Sequence, residues 1–450
     1  MLPQVGNTGL MDPRLAEAIE RIYTNERDRI LATLIGMVRD FDLAEETMHE
    51  AFAVALGLWQ SSDEIPDNPR AWIVGVARHK ALDQLRRQAA FAGKLPELQH
   101  GVERIGNRGM PQSAGTRGED VFPDDRLRLI FTCCHPALST EAQVALTLRT
   151  LCGISTDEIA RAFLTTPQTM AQRLVRVKRK IAEAGIPYSV PAEHALPSRV
   201  DSVLTTIYLI FTSGYSAASG DSLVKADLCR EAIRLARLVD TLLPGRGEPA
   251  ALLSLMLFHD SRRNTRTDGD GNIVLLEDQD RSRWDREAIV EGVESLAKAL
   301  RLGVGDNSAD SRYAIEAQIA SVHATVSCPG DTDWPRIRAL YADLKRVAPS
   351  PVVELNEAVA IAMSEGAEAG LARLAELESC GRLDNYHLLP AAQARLLDGL
   401  RRWAEAAERY QRALTLARNE PERRFLAARL AAARARMAES ATLEPTCDTH

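Results

Sequence analysis

Apolar residues return every three or four positions along most of this chain, and a repeat of that length builds helices with one buried stripe. Between residues 14 and 88 the stripes run through Leu31, Leu34, Ile35 and Val38, then Met48, Phe52, Ala55 and Leu56, then Val74, Ala77, Ala81 and Leu85. From Val200 to Met437 the same spacing persists almost without a break. Aromatic residues make up only 5% of the sequence while alanine and leucine recur, a balance that favours helix over sheet. The expected fold class is all-α.

At 450 residues the chain exceeds the roughly 100–200 residues of a single domain, so several helical units are expected. The first covers 11–90. Its last helix opens at DNPRAW, where Asn68 can cap and Pro69 takes the first helical position, whose N–H has no partner anyway. The stretch GVERIGNRGMPQSAGTRGED, within 91–120, carries too little apolar surface to order itself and reads as a flexible interdomain linker. A second helical unit covers 121–187, and GIPYSVPAEHALPSR separates it from a large helical extension at 196–450. Near the end of that extension Leu396, Leu400, Trp403, Ala404, Ala407, Tyr410 and Ala413 follow the large-small-large order of a tetratricopeptide (TPR) repeat, clearest over about 330–430.

The net charge of -7 argues against a protein that coats nucleic acid on all sides, but TDEIARAFLTTPQTMAQRLVRVKRK (Thr156 to Lys180) gathers positive charge in one helix. Ser155 and Glu158 form a capping box, Ile159, Ala160 and Phe163 give the first helix an apolar face, and Thr165-Thr166-Pro167 ends it and starts the next. That is a helix-turn-helix. Its second helix buries Met170, Leu174 and Val177 and turns Gln168, Thr169, Gln172, Arg173 and Arg176 outward to reach base edges, with Lys178, Arg179 and Lys180 placed for phosphates. A solvated basic helix at the end of a bundle is the other reading of the same run.

Seven cysteines, an odd number, fit a reduced compartment better than a disulfide framework. Cys133-Cys134-His135, with Cys152 downstream, lacks the C-x2–4-C separation that lets two thiolates share one tetrahedral ion. Asp268, Asp270 and Asn272 open like a calcium loop, yet Ile273 stands where glycine is needed and Gln279 where a bidentate glutamate should sit. No Walker loop, dinucleotide fingerprint, HExxH or nucleophile elbow occurs, so neither enzyme activity, metal nor cofactor is expected. The opening MLPQVGNTGLMDPRLAEA lacks the basic and apolar regions of a signal peptide, and no run is apolar enough for a membrane span. A cytoplasmic protein with no membrane partner is the expectation.

DLAEETMHEAFAVALGLW (Asp42 to Trp59) and NPRAWIVGVARHKALDQLRRQ (Asn68 to Gln88) resemble domain 2 of bacterial sigma-70-family factors of the extracytoplasmic-function (ECF) type. DEIARAFLTTPQTMAQRLVRVKRKI resembles their domain 4. LRLIFTCCHPALSTEAQVALTLRTLCG (Leu127 to Gly153), YLIFTSGYSAASGD (Tyr208 to Asp221) and LLEDQDRSRWD (Leu275 to Asp285) are similar to signatures of the subgroup with a C-terminal TPR-like extension, with a departure at Thr212-Ser213, where Asn-Glu is expected.

The resemblance implies a sigma factor without catalysis of its own, partnered by core RNA polymerase and promoter DNA. Asp42, Glu45, Glu46, Glu50 and Phe52 would meet the clamp helices of the polymerase's largest subunit. Trp72, Arg78, His79, Lys80, Arg86 and Arg87 would meet the -10 element, beside a base pocket in the loop Trp59 to Asp67, while the basic helix reads the -35 element. In the extension, Asp260, Arg262, Glu277, Asp278, Arg281 and Trp284 are denser in polar groups than a helix and loop require. They read first as a buried salt-bridge network and second as an interdomain or effector surface. The extension is expected to dock on the sigma domains in cis and set their activity. A stand-alone helix-turn-helix regulator with a TPR-like sensory domain, and a TPR scaffold whose basic helix binds proteins, are the alternatives.

Overall fold

The computed structural model describes residues 13–62, 65–92, 125–215, 222–303 and 311–443, so almost all of the linker expected over 91–120 and the SAASGD part of the 208–221 signature lie outside it. The described residues form helices and no β-strand; one isolated antiparallel bridge joins Thr267 and Ile273. The chain divides into two units, 1–206 and 207–450. No helix among the described residues is long and apolar enough to cross a membrane.

In the first unit α1 (Pro13–Val38), α2 (Phe41–Ser62) and α3 (Pro69–Ala92) pack around Ile30, Leu34, Met48, Phe52, Ile73 and Ala77, all fully buried. The larger of these side chains each contribute about 1.5–3 kcal/mol when removed from water. The Asp40 carboxylate accepts the N–H groups of Asp42 and Leu43 to start α2, and Asn68 accepts that of Ala71 to start α3, with Pro69 at its first position.

Four further helices follow: α4 (Arg126–Cys133), α5 (Thr140–Thr150), α6 (Thr156–Ala162) and α7 (Pro167–Glu183). Both groups of helices share one unit because polar ties cross between them. Arg27 of α1 donates to the carbonyl oxygen of Thr150 at 3.1 Å, and its guanidinium lies 3.1 Å from where a Cβ on Gly153 would stand. Gly153 also has φ +69°, so a side chain there would be strained twice over. Farther along, the buried Tyr188 hydroxyl donates to the Ala32 carbonyl oxygen at 2.6 Å, and Arg126 pairs with Asp28 at 3.5 Å.

The unit boundary falls within α8 (Leu196–Tyr215). In the second unit α9 (Ser222–Leu242) leads to α10 (Glu248–Asp260), which is buried on every side from Pro249 to Phe258, as its almost uninterrupted apolar sequence requires. An irregular segment, 261–285, then connects to α11 (Arg286–Gly303) and α12 (Arg312–Ala324). The remainder is a succession of helices: α13 (Trp334–Val347), α14 (Pro351–Glu365), α15 (Ala367–Ser379), α16 (Leu388–Gly399), α17 (Trp403–Leu416) and α18 (Glu420–Leu443). A Cβ on Gly370 would fall 2.3 Å from that of Ala362, so glycine is what allows α15 to approach α14 this closely. Ala394, Ala406, Ala407, Tyr410, Ala413 and Leu426 form a shared core for α16–α18; of the residues whose order suggested a repeat, Ala407, Tyr410 and Ala413 belong to it, while Ala404 is exposed.

Candidate nucleic-acid interface

Both helices of the expected helix-turn-helix are present, and their caps are made as the sequence specifies. Ser155 Oγ accepts the Glu158 N–H at 3.2 Å while the Glu158 carboxylate accepts that of Ser155 at 3.0 Å. The bonds from Ser155 hold the Glu158 carboxyl below its usual range. Thr166 Oγ1 accepts the Thr169 N–H at 3.2 Å, and Pro167 opens α7. Between the helices the chain turns at Leu164, whose φ of +50° is unusual for a side chain of this size.

Helix α7 buries Met170, Leu174, Val177 and Ile181. On its other faces Gln168, Thr169, Gln172, Arg176, Arg179 and Lys180 are exposed. They are not equally available. Arg173 pairs with Glu141 at 3.0 Å, Arg179 with Glu183 at 3.5 Å, and Lys180 donates to the Ala137 carbonyl oxygen. Arg176 makes no hydrogen bond or ion pair among the described residues. Lys178 does not face outward: its side chain is 14% exposed and pairs with Asp42 at 2.6 Å and Glu45 at 3.9 Å.

Those two carboxylates belong to the acidic face of α2, where Arg149 also pairs with Glu45. The residues suggested for the polymerase clamp are therefore shared with α5 and α7. Glu46 accepts from Gln84 at 3.1 Å, and Glu50 pairs with Lys80 at 2.8 Å, so α3 holds the other half of the acidic face. Phe52 is corrected from surface contact to core: it is fully buried, with Tyr23 edge-on at 5.0 Å, because it falls on the same stripe as Met48 and Ala55. Arg149 and Glu141 went unremarked in the sequence, where neither stands out from its helix.

On α3 the suggested -10 residues separate. His79, Arg86 and Arg87 are exposed, and His79 Nδ1 bonds the Gly75 carbonyl oxygen at 2.8 Å. Arg78 is 8% exposed and points into the unit rather than to solvent, following the buried Val74 and Ala77 on the helix period. Trp72 is half-buried and lies 5.2 Å from the buried Trp59, an inner pairing that leaves only part of its ring accessible. Beside the start of α3 an open cleft of about 480 Å³ is lined by Arg21, Ile22 and Asn25 of α1 together with Ile65, Asn68 and Arg70. It borders the loop expected to hold a flipped base.

Cys133 and Cys134 are fully buried, and burial pushes the Cys134 thiol up to about 11 and Cys133 upward as well, so both remain protonated. His135 accepts the Ala137 N–H at 3.1 Å if Nδ1 is unprotonated, a local turn rather than a ligand set. Asp268 is satisfied by Asp270 and Asn272 of its own loop.

The polar set of the extension is tied within the second unit. Asp260 pairs with Arg263, Glu277 with Arg395 of α16, and Asp278 with Arg429 of α18 at 4.0 Å. Arg281 is buried and donates to the carbonyl oxygens of His323 and Val326, at 2.7 and 2.9 Å. Trp284, also buried, donates from Nε1 to Thr265 Oγ1 at 3.0 Å. The Arg262 side chain makes no hydrogen bond or ion pair among the described residues.

Sigma-70 region 2 matches residues 22–91 and sigma-70 region 4 matches 128–181, while residues 199–300 match a family of unknown function, DUF6596. An uncharacterized protein of Rhizobium meliloti (strain 1021) is 39% identical over 91% of this chain and 94% of its own length. The ECF RNA polymerase sigma factor SigK of Mycobacterium ulcerans is 22% identical over 35% of this chain and 80% of its own, and the probable ECF RNA polymerase sigma factor SigI of Mycobacterium tuberculosis is 26% identical over 41% and 61%. No solved structure matches. With regions 2 and 4 in order on capped helices and a further helical region beyond them, this chain belongs to the sigma-70 family, as an ECF-type factor with an additional C-terminal region.

Proposed function

We propose that the chain docks on core RNA polymerase through the acidic face of α2, reads the -35 element with α7 and holds the opened -10 element with α3. What carries the reading is the pairing of a capped helix-turn-helix, presenting Gln168, Gln172 and an unpaired Arg176, with a second basic helix that carries exposed Arg86 and Arg87. An α-helix fits the major groove, and a guanidinium there recognises guanine in bidentate fashion. The cleft between α1 and the start of α3 offers a shelter for an unstacked base, whose extrusion costs a few kcal/mol that stacking and phosphate contacts offset.

Asp42 and Glu45 would serve two partners in turn. In the isolated chain they hold Lys178 and Arg149; on the polymerase they would meet its clamp helices. Region 4 must then leave α2 when the factor binds core, freeing Lys178 for DNA phosphate. The extension, with its TPR-like helix pairs, would set promoter output in cis, in the cytoplasm where the polymerase works.

Run-off transcription with core enzyme and a library of promoter fragments tests this directly. The expected result is promoter-specific transcript only when chain and core are both present. Specific duplex binding by the chain alone, with no effect on core, would favour a conventional helix-turn-helix regulator. Cutting after Pro191 should alter output; identical transcription by the truncated chain would dismiss the role of the extension.

A further inference from the structure

Near the end of α10 the second unit assembles positive and neutral donors without an acid among them. Tyr215, the last residue of α8, stacks on Phe211 and lies 5.4 Å from the His259 ring. The Arg266 guanidinium sits 3.6 Å above the Tyr215 ring and donates to that residue's carbonyl oxygen. The Tyr215 hydroxyl is buried and finds no hydrogen-bond partner among the described residues. The Arg262 side chain, in the first turn after α10, makes no hydrogen bond or ion pair among the described residues, and its charge acts on both His259 and His323.

The charges felt by these histidines all have one sign. His259 is held down to about 3 by burial and then by Arg262 and Arg266; His323 is held down to about 4 by burial and then by Arg262 and Arg281. Both imidazoles are neutral at pH 7 and can each donate one N–H. The carboxylate next in sequence to His259, Asp260, is already engaged by Arg263. The segment that carries Arg262 and Arg266 is fixed in place, since Thr265 donates to the Arg262 carbonyl oxygen at 2.9 Å and accepts from Trp284. The Arg266 guanidinium, held over the Tyr215 ring with a carbonyl oxygen and no carboxylate as its partner, is costly to desolvate unless something else supplies the negative charge.

We propose that Arg262, Arg266, His259, His323 and the Tyr215 hydroxyl form a binding site for a small oxyanion, the phosphate or carboxylate group of a low-molecular-weight ligand. The planar fork of arginine matches either group in bidentate fashion, and the imidazole and phenol donors complete a shell made only of donors. The site is independent of the promoter reading, because no residue in it belongs to region 2 or region 4.

The test uses the full-length protein in buffer free of phosphate and carboxylate, at constant ionic strength. Inorganic phosphate and acetate are titrated separately by isothermal calorimetry, with thermal unfolding in parallel. Saturable binding of at least one, accompanied by a rise in Tm, is expected, and whichever ion binds identifies the class of ligand. Arg262→Gln should weaken that binding tenfold or more without lowering the Tm in anion-free buffer, and Tyr215→Phe should weaken it less while leaving the circular dichroism unchanged. The proposal is overturned if neither ion gives more heat than sodium chloride, or if binding is lost in Arg176→Gln and Arg179→Gln but kept in Arg262→Gln. A fall of several degrees in the anion-free Tm of Arg262→Gln would make that arginine a structural strut and would equally overturn it.

Discussion

Arg173 and Arg176 stand three residues apart on α7 and differ in what they are free to do. Arg173 is held by Glu141, whereas Arg176 has nothing to give up before meeting DNA. Replacing Arg176 with alanine should therefore cost about 1–3 kcal/mol of -35 recognition in competition binding by the polymerase-bound protein, with little change in folding. An equal loss on random DNA would reduce Arg176 to a phosphate contact. Leu164 gives a prediction of opposite sign. Its left-handed backbone costs an L-residue about 1–2 kcal/mol, and its side chain is 86% exposed. Leu164→Gly should stabilise the chain in urea unfolding, by less than that cost because glycine also loosens the unfolded state. Single residues were legible where burial followed the helical period, as at Met170 and Leu174. At Phe52 and Arg78 charge or family position suggested the surface, while the period pointed inward and prevailed.

The element that the sequence specified most fully is the helix-turn-helix, because caps act within a few residues of themselves. Ser155→Ala removes one side of the capping box and should cost about 1 kcal/mol in thermal unfolding, while Ser155→Gly costs less. The acid dependence follows from Glu158, whose carboxyl is held below its usual range by Ser155. The box contributes fully above the ordinary carboxyl pKa and is lost as pH falls through the lowered one, so the difference between wild type and Ser155→Ala should narrow in acid. Pairings across the chain were not legible in this way. Lys178 meets Asp42, and Glu277 meets Arg395, through the packing of separate helices, and a local apolar pattern does not encode which distant acid a base will find. The same limit applies to the LLEDQDRSRWD segment, read first as a buried salt-bridge network and second as a docking surface: its pattern does not name Arg429 as the partner of Asp278, nor the His323 carbonyl oxygen as that of Arg281.

At the scale of the whole molecule, buried histidines should make the second unit lose stability in mild acid. His259 and His323 stay neutral in the fold but accept protons near pH 6.5 once unfolded, so the unfolded state binds more protons and stability falls as pH drops below 6.5. Between pH 7.5 and 5.5 each should remove roughly 1 kcal/mol, measured by urea unfolding of the second unit in phosphate-free buffer. His259→Gln should flatten the slope; an unchanged slope would mean that other groups set it. In the first unit, Lys178→Ala with Arg149→Ala should tighten binding to core polymerase at least about two- to fivefold, since even exposed ion pairs are worth tenths of a kcal/mol to about 1 kcal/mol each and these are partly buried. These pairs do not act alone in keeping region 4 on α2, because the Arg27–Thr150, Arg126–Asp28 and Tyr188–Ala32 ties also cross between the two groups of helices, and covalent linkage can present each to the other at an effective concentration near the millimolar range. The polymerase arrives by diffusion at whatever concentration the cell maintains, so it displaces region 4 only by offering many contacts at once. Binding to core is thus a contest between a nearby weak partner and a distant strong one, and its outcome shifts with the length of the tether even when no contacting residue is changed.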